Sequence, residues 1–157
     1  IVEQVVQIIA PDGLRTTQLG LIGLGVMGKS LARNMAKKGF KIALFNRHLA
    51  GVEEGVARNF KNHFPELKEA AAFDEIAAFV NALEIPRKIM LMVNAGPIVD
   101  SVIEDILPFL SKGDILIDGG NSNYKDSKRR LNYLFKKRES TLRFSVFAYE
   151  NWGKMQK

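Results

Sequence analysis

Gly23-Leu24-Gly25-Val26-Met27-Gly28 reads G-x-G-x-x-G. Three glycines at that spacing are what a backbone needs to wrap a pyrophosphate. Gly23 permits a tight turn, Gly25 lets the main chain approach the anion, and Gly28 lets a helix pack closely on a strand. If a helix opens at Val26, the N–H groups around Val26 and Met27 point at the anion, helped by the helix dipole. The same stretch also fits G-x-x-x-x-G-K-S, from Gly23 to Ser30, the loop that cradles nucleoside triphosphates. Gly25 favours the dinucleotide turn. A glycine-rich turn with no ligand is the plain alternative.

A second group follows about 20 residues on, where a dinucleotide site reads the adenosine ribose. An NAD site carries Asp or Glu there. This chain has Phe45-Asn46-Arg47-His48. A carboxylate would repel a 2′-phosphate, whereas a guanidinium can pair with one bidentately. NADP is therefore preferred over NAD, with Arg47 as a solvated loop cation the alternative. His48 could add a hydrogen bond to the phosphate or be a bystander.

These groups need elements to carry them. Gln18–Gly23 reads as a strand ending in the glycine turn. Val26–Lys38 reads as a helix with Met27, Leu31 and Met35 on one face and Gly39 closing it. Lys41–Asn46 reads as a strand. Residues 50–63 read as a polar helix with Val52, Val56 and Phe60 on one side, broken by Pro65. The spacing predicts a helix over Phe73–Leu83 with Ile76, Phe79, Val80 and Leu83 inward, and Asp74 and Glu75 at its positive end. Lys88–Val93 is a strand. Ile98–Leu110 is a helix burying Val99, Val102, Ile103 and Ile106. Asp114–Asp118 is a strand. Tyr124–Arg138 is a helix with Leu131, Leu134 and Phe135 as its apolar stripe, and Leu142–Phe147 is a last strand. Short apolar strands alternating with amphipathic helices argue for an α/β fold, a mostly parallel, doubly wound sheet with helices on both faces. Val2, Val5, Val6 and Ile9 suggest a short helix before a Pro11–Gly13 turn. Residues 1–17 are expected to be an extension, 18–147 the domain and 148–157 a tail. Lys136–Thr141 is the candidate linker.

The composition excludes several chemistries. The 157 residues include no Cys and two His, His48 and His63. Disulfide, thiolate, iron–sulfur and zinc–cysteine sites are thereby ruled out, and a multi-histidine metal site is disfavoured, so no metal is expected. No apolar run reaches the roughly 20 residues needed to span a bilayer, and residues 1–9 lack the pattern of a secretory signal. The cytoplasm is the expected compartment, with a plastid left open. Residues 1–124 hold 13 basic and 14 acidic side chains, whereas residues 125–157 hold 10 basic and 3 acidic. That basic end could meet nucleic acid. A solvated helix face around Lys128, Arg129, Arg130, Lys136, Lys137 and Arg138 is the preferred reading, because the charges alternate with core-spaced apolar residues.

At these residues the sequence resembles the N-terminal NADP-binding domain of the 6-phosphogluconate dehydrogenases. The blocks are GLGVMGKSLARNMAKKGF (23–40), FNR (45–47), IMLMVNAG (89–96) and residues 99–130, within which Asp118-Gly119-Gly120-Asn121-Ser122 is the most specific. The related β-hydroxyacid dehydrogenases share the first two blocks but usually lack the DGGN segment; they are the nearest competing assignment. The resemblance implies a Rossmann-type fold, NADP as cofactor, and Gly23, Leu24, Gly25, Val26, Met27 and Gly28 as the pyrophosphate turn. It implies Asn46 and Arg47 as readers of the 2′-phosphate, with His48 where the family has Thr. Val93, Asn94 and Ala95 would lie on the nicotinamide side, with Asn94 where the family has Lys. Asn121 would reach both cofactor and substrate. Asn94 and Asn121 also suit plain turns, and Gly119-Gly120 could be only a turn.

The family catalyses oxidative decarboxylation of 6-phosphogluconate to ribulose 5-phosphate in the pentose phosphate pathway, forming NADPH. It continues with a V-S-G-G-E-E-G segment that this chain does not match at Ser145–Gly153, and with a helical domain carrying a proton-shuttling Lys and Glu. No catalytic residue is therefore assigned here. The expectation is an NADP-binding fragment inactive alone, truncated, frame-shifted or a pseudo-enzyme, taking 6-phosphogluconate only if that domain is supplied and homodimeric only at full length. A non-catalytic NADP-binding or interaction module is the alternative.

Overall fold

A computed structural model describes residues 17–47, 50–137 and the backbone of 143–146. His48, the expected helix within 1–9, the Pro11–Gly13 turn, most of the 136–141 linker and the 148–157 tail lie outside the described residues.

The chain alternates strand and helix: β1 (Leu19–Ile22), α1 (Val26–Lys37), β2 (Ile42–Phe45), α2 (Val56–His63), β3 (Ala71–Phe73), α3 (Ile76–Asn81), β4 (Lys88–Leu91), α4 (Pro97–Ile106), β5 (Ile115–Asp118), α5 (Tyr124–Lys137) and β6 (Arg143–Val146). The six strands form one sheet in the order β3-β2-β1-β4-β5-β6, and every neighbouring pair is parallel. The expected α/β sheet is present. It builds outward from β1 in one direction, then returns to β1's other side to build outward again, so a crevice opens beyond the ends of β1 and β4.

Strand periodicity sorts the core into two layers. Leu21, Ile42 and Leu44 pack with Ala32 of α1 and Ala57 and Phe60 of α2. Ile22, Ala43, Phe45, Ile89, Leu91 and Leu116 point the other way, against Phe79 of α3, Val99 and Ile103 of α4 and Leu134 of α5. Alternate residues thus serve opposite faces, each covered by helices. Gly20 makes room within β1: a Cβ there would lie 2.5 Å from the ring of Phe79. Helix α1 ends as its glycine foretold. Gly39 has φ +86, its N–H bonds Ala36 O at 2.9 Å, and the N–H of Phe40 bonds Met35 O at 3.1 Å. That is the paired closure of a glycine-terminated helix.

Four expectations need correction. The helix over 50–63 begins only at Val56, because Gly51 and Gly55 take φ +74 and +57, and Val52 is exposed rather than inward. The helix over 73–83 runs only from Ile76 to Asn81. Phe73 belongs instead to a strand, β3, hidden in the AAF triplet. The helix over 98–110 gives way at Leu107–Phe109 to a 3₁₀ turn, since Pro108 has no N–H to continue the ladder. In α5 the stripe is not Leu131, Leu134 and Phe135. Leu134 is buried beside Ser127 and Arg130, while Leu131 and Phe135 are exposed. None of the helices among the described residues is long and apolar enough to cross a membrane.

Candidate functional site

Strand ends pin the loops that line the crevice. Gly23 N–H bonds Phe45 O at 3.0 Å, Met92 N–H bonds Ile22 O at 2.7 Å, and Gly119 N–H bonds Leu91 O at 2.9 Å. The glycine turn, the residues after β2, the residues after β4 and those after β5 are therefore held side by side at one edge of the sheet.

Each glycine of the turn does a different job. Gly23 has φ +100, and a Cβ there would sit 2.6 Å from the carbonyl oxygen of Met92; at Gly28 a Cβ would fall on the carbonyl oxygen of Gly23. Both are fixed by the protein's own packing. Around Gly25 nothing lies within 4 Å of where a Cβ would be, so the chain gives no packing reason for its glycine. Gly25 is the N-cap of α1; no side chain caps that helix, and its first turn holds no acid. Val26 and Met27 are exposed there. An open face, uncapped N–H groups and a first turn without an acid suit a phosphate. Lys29 does not complete a triphosphate loop, for its ammonium lies over the Phe60 ring, 5.8 Å from the centroid.

The crevice is a cavity of ≈ 580 Å³. Its walls include Gly23, Leu24, Gly25, Asn46, Arg47, Val93 and Asn94 of the expected site. Asn46 ties two of these groups together: its Oδ1 accepts the N–H of Leu24 at 2.9 Å. Among the described residues Arg47 is the one cation that lines the cavity; it is exposed, and its Nε donates to Glu53 Oε2 at 3.1 Å. Four carboxylates share the wall, Glu53, Asp74, Glu75 and Asp105; Asp74 pairs with Arg58 at 3.3 Å. Ala95 and Asn121 are exposed but do not line the cavity, nor do Val26, Met27 and Gly28.

The Asn121 loop nonetheless presses on the Asn94 loop. A Cβ at Gly119 would lie 2.6 Å from Met92 Sδ, and one at Gly120 2.8 Å from Val93 O. The glycine pair thus permits close approach, beyond forming a turn. Beneath both loops lies Arg130, 1% exposed. Its guanidinium donates to Asp100 Oδ1 at 2.9 Å and Oδ2 at 3.2 Å, to Gly96 O at 2.9 Å and to Ser122 Oγ at 3.3 Å, and lies 3.6 Å from Asp118 Oδ2. One side chain of α5 therefore fastens α4, the end of the 94–96 loop and the 118–122 loop. Asp118 is fully buried; its Oδ1 accepts Gly120 N–H at 3.2 Å, and its Oδ2 has no hydrogen bond. Burial works to raise the pKa of Asp100, but hydrogen bonds from Arg130 and Arg129 outweigh it and hold the carboxyl below its ordinary range.

Sequence reasoning placed Arg130 on a solvated face, and the structure corrects this. It also missed Glu53, Asp74, Glu75, Met92 and Asp105 as wall residues. The alternation that flagged buried strands carries no signal for a polar side chain aimed at a crevice. Of the other cations of α5, Arg129 pairs with Asp100 at 2.8 Å and Lys137 with Glu104 at 2.9 Å. Among the described residues no group of His, Asp and Glu is arranged to hold a metal ion.

Comparison with known proteins agrees with this geometry. Residues 18–146 match the family described as the NAD binding domain of 6-phosphogluconate dehydrogenase. The decarboxylating 6-phosphogluconate dehydrogenase of Chlamydia pneumoniae is 48% identical over 121 residues, covering 77% of this chain and 24% of its own length. That of Staphylococcus aureus (strain N315) is 45% identical over 119 residues, with 73% and 23% covered. This chain thus spans about a quarter of the curated relatives it matches. Among solved structures, Plasmodium falciparum 6-phosphogluconate dehydrogenase, described in apo form and in complexes with NADP+ and with 6-phosphogluconate, superposes with a TM-score of 0.69 at 35% identity, covering 81% of this chain and 26% of that one. The 3-hydroxyisobutyrate dehydrogenase of Mycobacterium tuberculosis, at 20% identity and a TM-score of 0.61 over 82% of this chain and 39% of that one, shares the fold. The chain belongs to the 6-phosphogluconate dehydrogenase family, and residues 18–146 are its NAD-binding domain.

Proposed function

We propose that the chain binds NADP(H) across the crevice and is the coenzyme-carrying part of a 6-phosphogluconate dehydrogenase. The observation that carries this reading is the pairing of two anion-binding features in one cavity. One is an uncapped helix end at a glycine with no packing role of its own. The other is Arg47, at the end of β2, the single cation among the described lining residues. The pyrophosphate belongs on the backbone from Gly23 to Gly28, and the 2′-phosphate on Arg47, with Asn46 bracing the turn. His48 stands next in the chain and is assigned a supporting contact. Val93, Asn94 and Ala95 lie toward the nicotinamide, and Asn121 on the neighbouring loop is assigned to cofactor and substrate together.

When bound, the coenzyme accepts hydride from a sugar-acid hydroxyl carbon; the protein supplies orientation and proton traffic. This chain's residues supply orientation. Among the described residues no lysine lines the cavity; proton transfer in the decarboxylation of 6-phosphogluconate to ribulose 5-phosphate is assigned to the part of the family's length that this chain does not span. Homodimerisation and the cytoplasm as compartment accompany that reading.

The test is titration of the chain with NADPH and with NADH, following nicotinamide fluorescence. Wild type should prefer NADPH. Arg47→Ala should weaken NADPH by about 10- to 100-fold, the scale of a charge-assisted pair to phosphate, without weakening NADH. No preference in the wild type, or equal weakening of both coenzymes in the variant, would defeat the proposal.

A further inference from the structure

The carboxylate that an NAD site carries at the end of its second strand is missing from Phe45-Asn46-Arg47, yet the structure brings one there. The stretch between β2 and α2 turns twice through the left-handed region, at Gly51 (φ +74) and Gly55 (φ +57), and so carries Glu53 back onto the cavity wall beside Arg47. Glu53 Oε2 lies 3.1 Å from Arg47 Nε and 3.4 Å from Asn46 Nδ2. Asn46 in turn holds the N–H of Leu24. The acid is thereby linked to both halves of the phosphate-reading machinery. The bond is made through the Nε of Arg47.

Resting on the NADP(H) reading above, we propose that Glu53 is the residue that sets the choice of dinucleotide: it competes with a 2′-phosphate for Arg47 and is itself the acceptor for a ribose 2′-hydroxyl. The physics is a sign argument. A 2′-phosphate brought to Arg47 meets a carboxylate already on that guanidinium, so it forfeits attraction and gains repulsion. A 2′-hydroxyl brought to the same place meets an acceptor for its proton. Arg47 and Glu53 thus pull in opposite directions within one pocket, and the chain accepts both coenzymes with a moderate preference, where Arg47 alone would give a strong one.

The experiment measures Kd for NADPH and NADH on the full 157-residue chain as wild type, Glu53→Gln, Arg47→Gln and the double variant. The readout is the ratio of the two affinities, which a general loss of folded chain would leave in place because it weakens both. Glu53→Gln should tighten NADPH and weaken NADH, moving the ratio toward NADPH by about threefold to tenfold, the scale of one partly exposed ion pair and the repulsion it imposes on a dianion. Arg47→Gln should release Glu53 and tighten NADH, and the double variant should lose that gain. A wild type that prefers NADPH, loses that preference in Arg47→Gln, and keeps its ratio within twofold in Glu53→Gln overturns this inference and leaves the NADP(H) reading standing. A wild type that binds neither coenzyme overturns both.

Discussion

Alanine at Gly25 and alanine at Gly28 should fail in opposite ways. Gly25 sits at φ −72 and ψ −171, a conformation alanine adopts freely, and no atom lies within 4 Å of the new methyl. Losing glycine at an N-cap costs roughly 0.5–1 kcal/mol, and the stiffer unfolded chain returns about 0.4–1 kcal/mol. Folding should therefore be unchanged within about 1 kcal/mol. The methyl would instead stand in the cavity where a pyrophosphate must approach the main chain. Overpacking there, at about 1–3 kcal/mol, is a roughly 5- to 150-fold loss in Kd. At Gly28 the methyl meets the carbonyl oxygen of Gly23, with Gly23 C at 3.1 Å and Met92 Cβ at 3.4 Å. These are backbone neighbours that cannot swing away, so helix and turn must separate. The helical preference for alanine recovers about 1 kcal/mol, which leaves a net loss near 2 kcal/mol and a Tm lower by roughly 4–8 °C for a chain of this size. Thermal melts without ligand and fluorescence titration with NADPH separate the two outcomes. A Gly25→Ala chain that melts like Gly28→Ala, or that binds NADPH as tightly as wild type, would refute the division of labour between ligand space and packing space.

Two further perturbations test what holds the fold together. Asp114 is fully buried, accepting Arg87 N–H at 2.7 Å, the Arg87 guanidinium at 3.0 Å and Ser111 N–H at 2.8 Å; Asp114→Ala leaves Arg87 buried without its carboxylate and should cost about 3–5 kcal/mol in a denaturant melt. Asp100, whose carboxyl is held below its ordinary value by Arg130 and Arg129 against the pull of burial, contributes stability that is complete above the unfolded carboxylate pKa and lost as pH falls through the lower folded one. Wild type should therefore melt above Asp100→Asn at pH 6, and that gap should close on acidification below about pH 4; a gap that persists unchanged at the acid end would show that the Arg130 contacts do not depend on the charge.

Most of the architecture was legible because it rests on local regularities. Short apolar runs bounded by glycine and charge marked β1, β2, β4 and β5, and the 3.6-residue spacing of Val99, Ile103 and Ile106 marked α4. The failures occurred where local pattern is silent. Ala71–Phe73 is a three-residue edge strand; alanine has no strand preference, and its pairing is decided by Ala43–Phe45 alongside it. Val52 fits a helical stripe with Val56 and Phe60 in spacing, but two glycines at positive φ break the segment first.

The site divides along the same line. Gly23, Gly25 and Gly28 were legible because the turn's geometry is local: spacing alone dictates which glycine bends, which opens and which packs. Arg130 was not. It stands beside Arg129 in a run of cations, and nothing in Tyr124–Lys137 distinguishes the two. What separates them is a rotation of about 100° around the helix axis that turns Arg130 toward Asp100, Gly96 and Ser122, residues 8 to 34 positions away in the chain. Glu53 belongs with Arg130. Its chemistry depends on arriving beside Arg47, six positions earlier, and that arrival is the work of Gly51 and Gly55, residues without chemistry of their own. Dinucleotide choice in this chain is therefore written in the turn between β2 and α2 as much as at the end of the strand. Straightening that turn with Gly51→Ala should shift the NADPH-to-NADH affinity ratio in the same direction as Glu53→Gln, without altering a single charge.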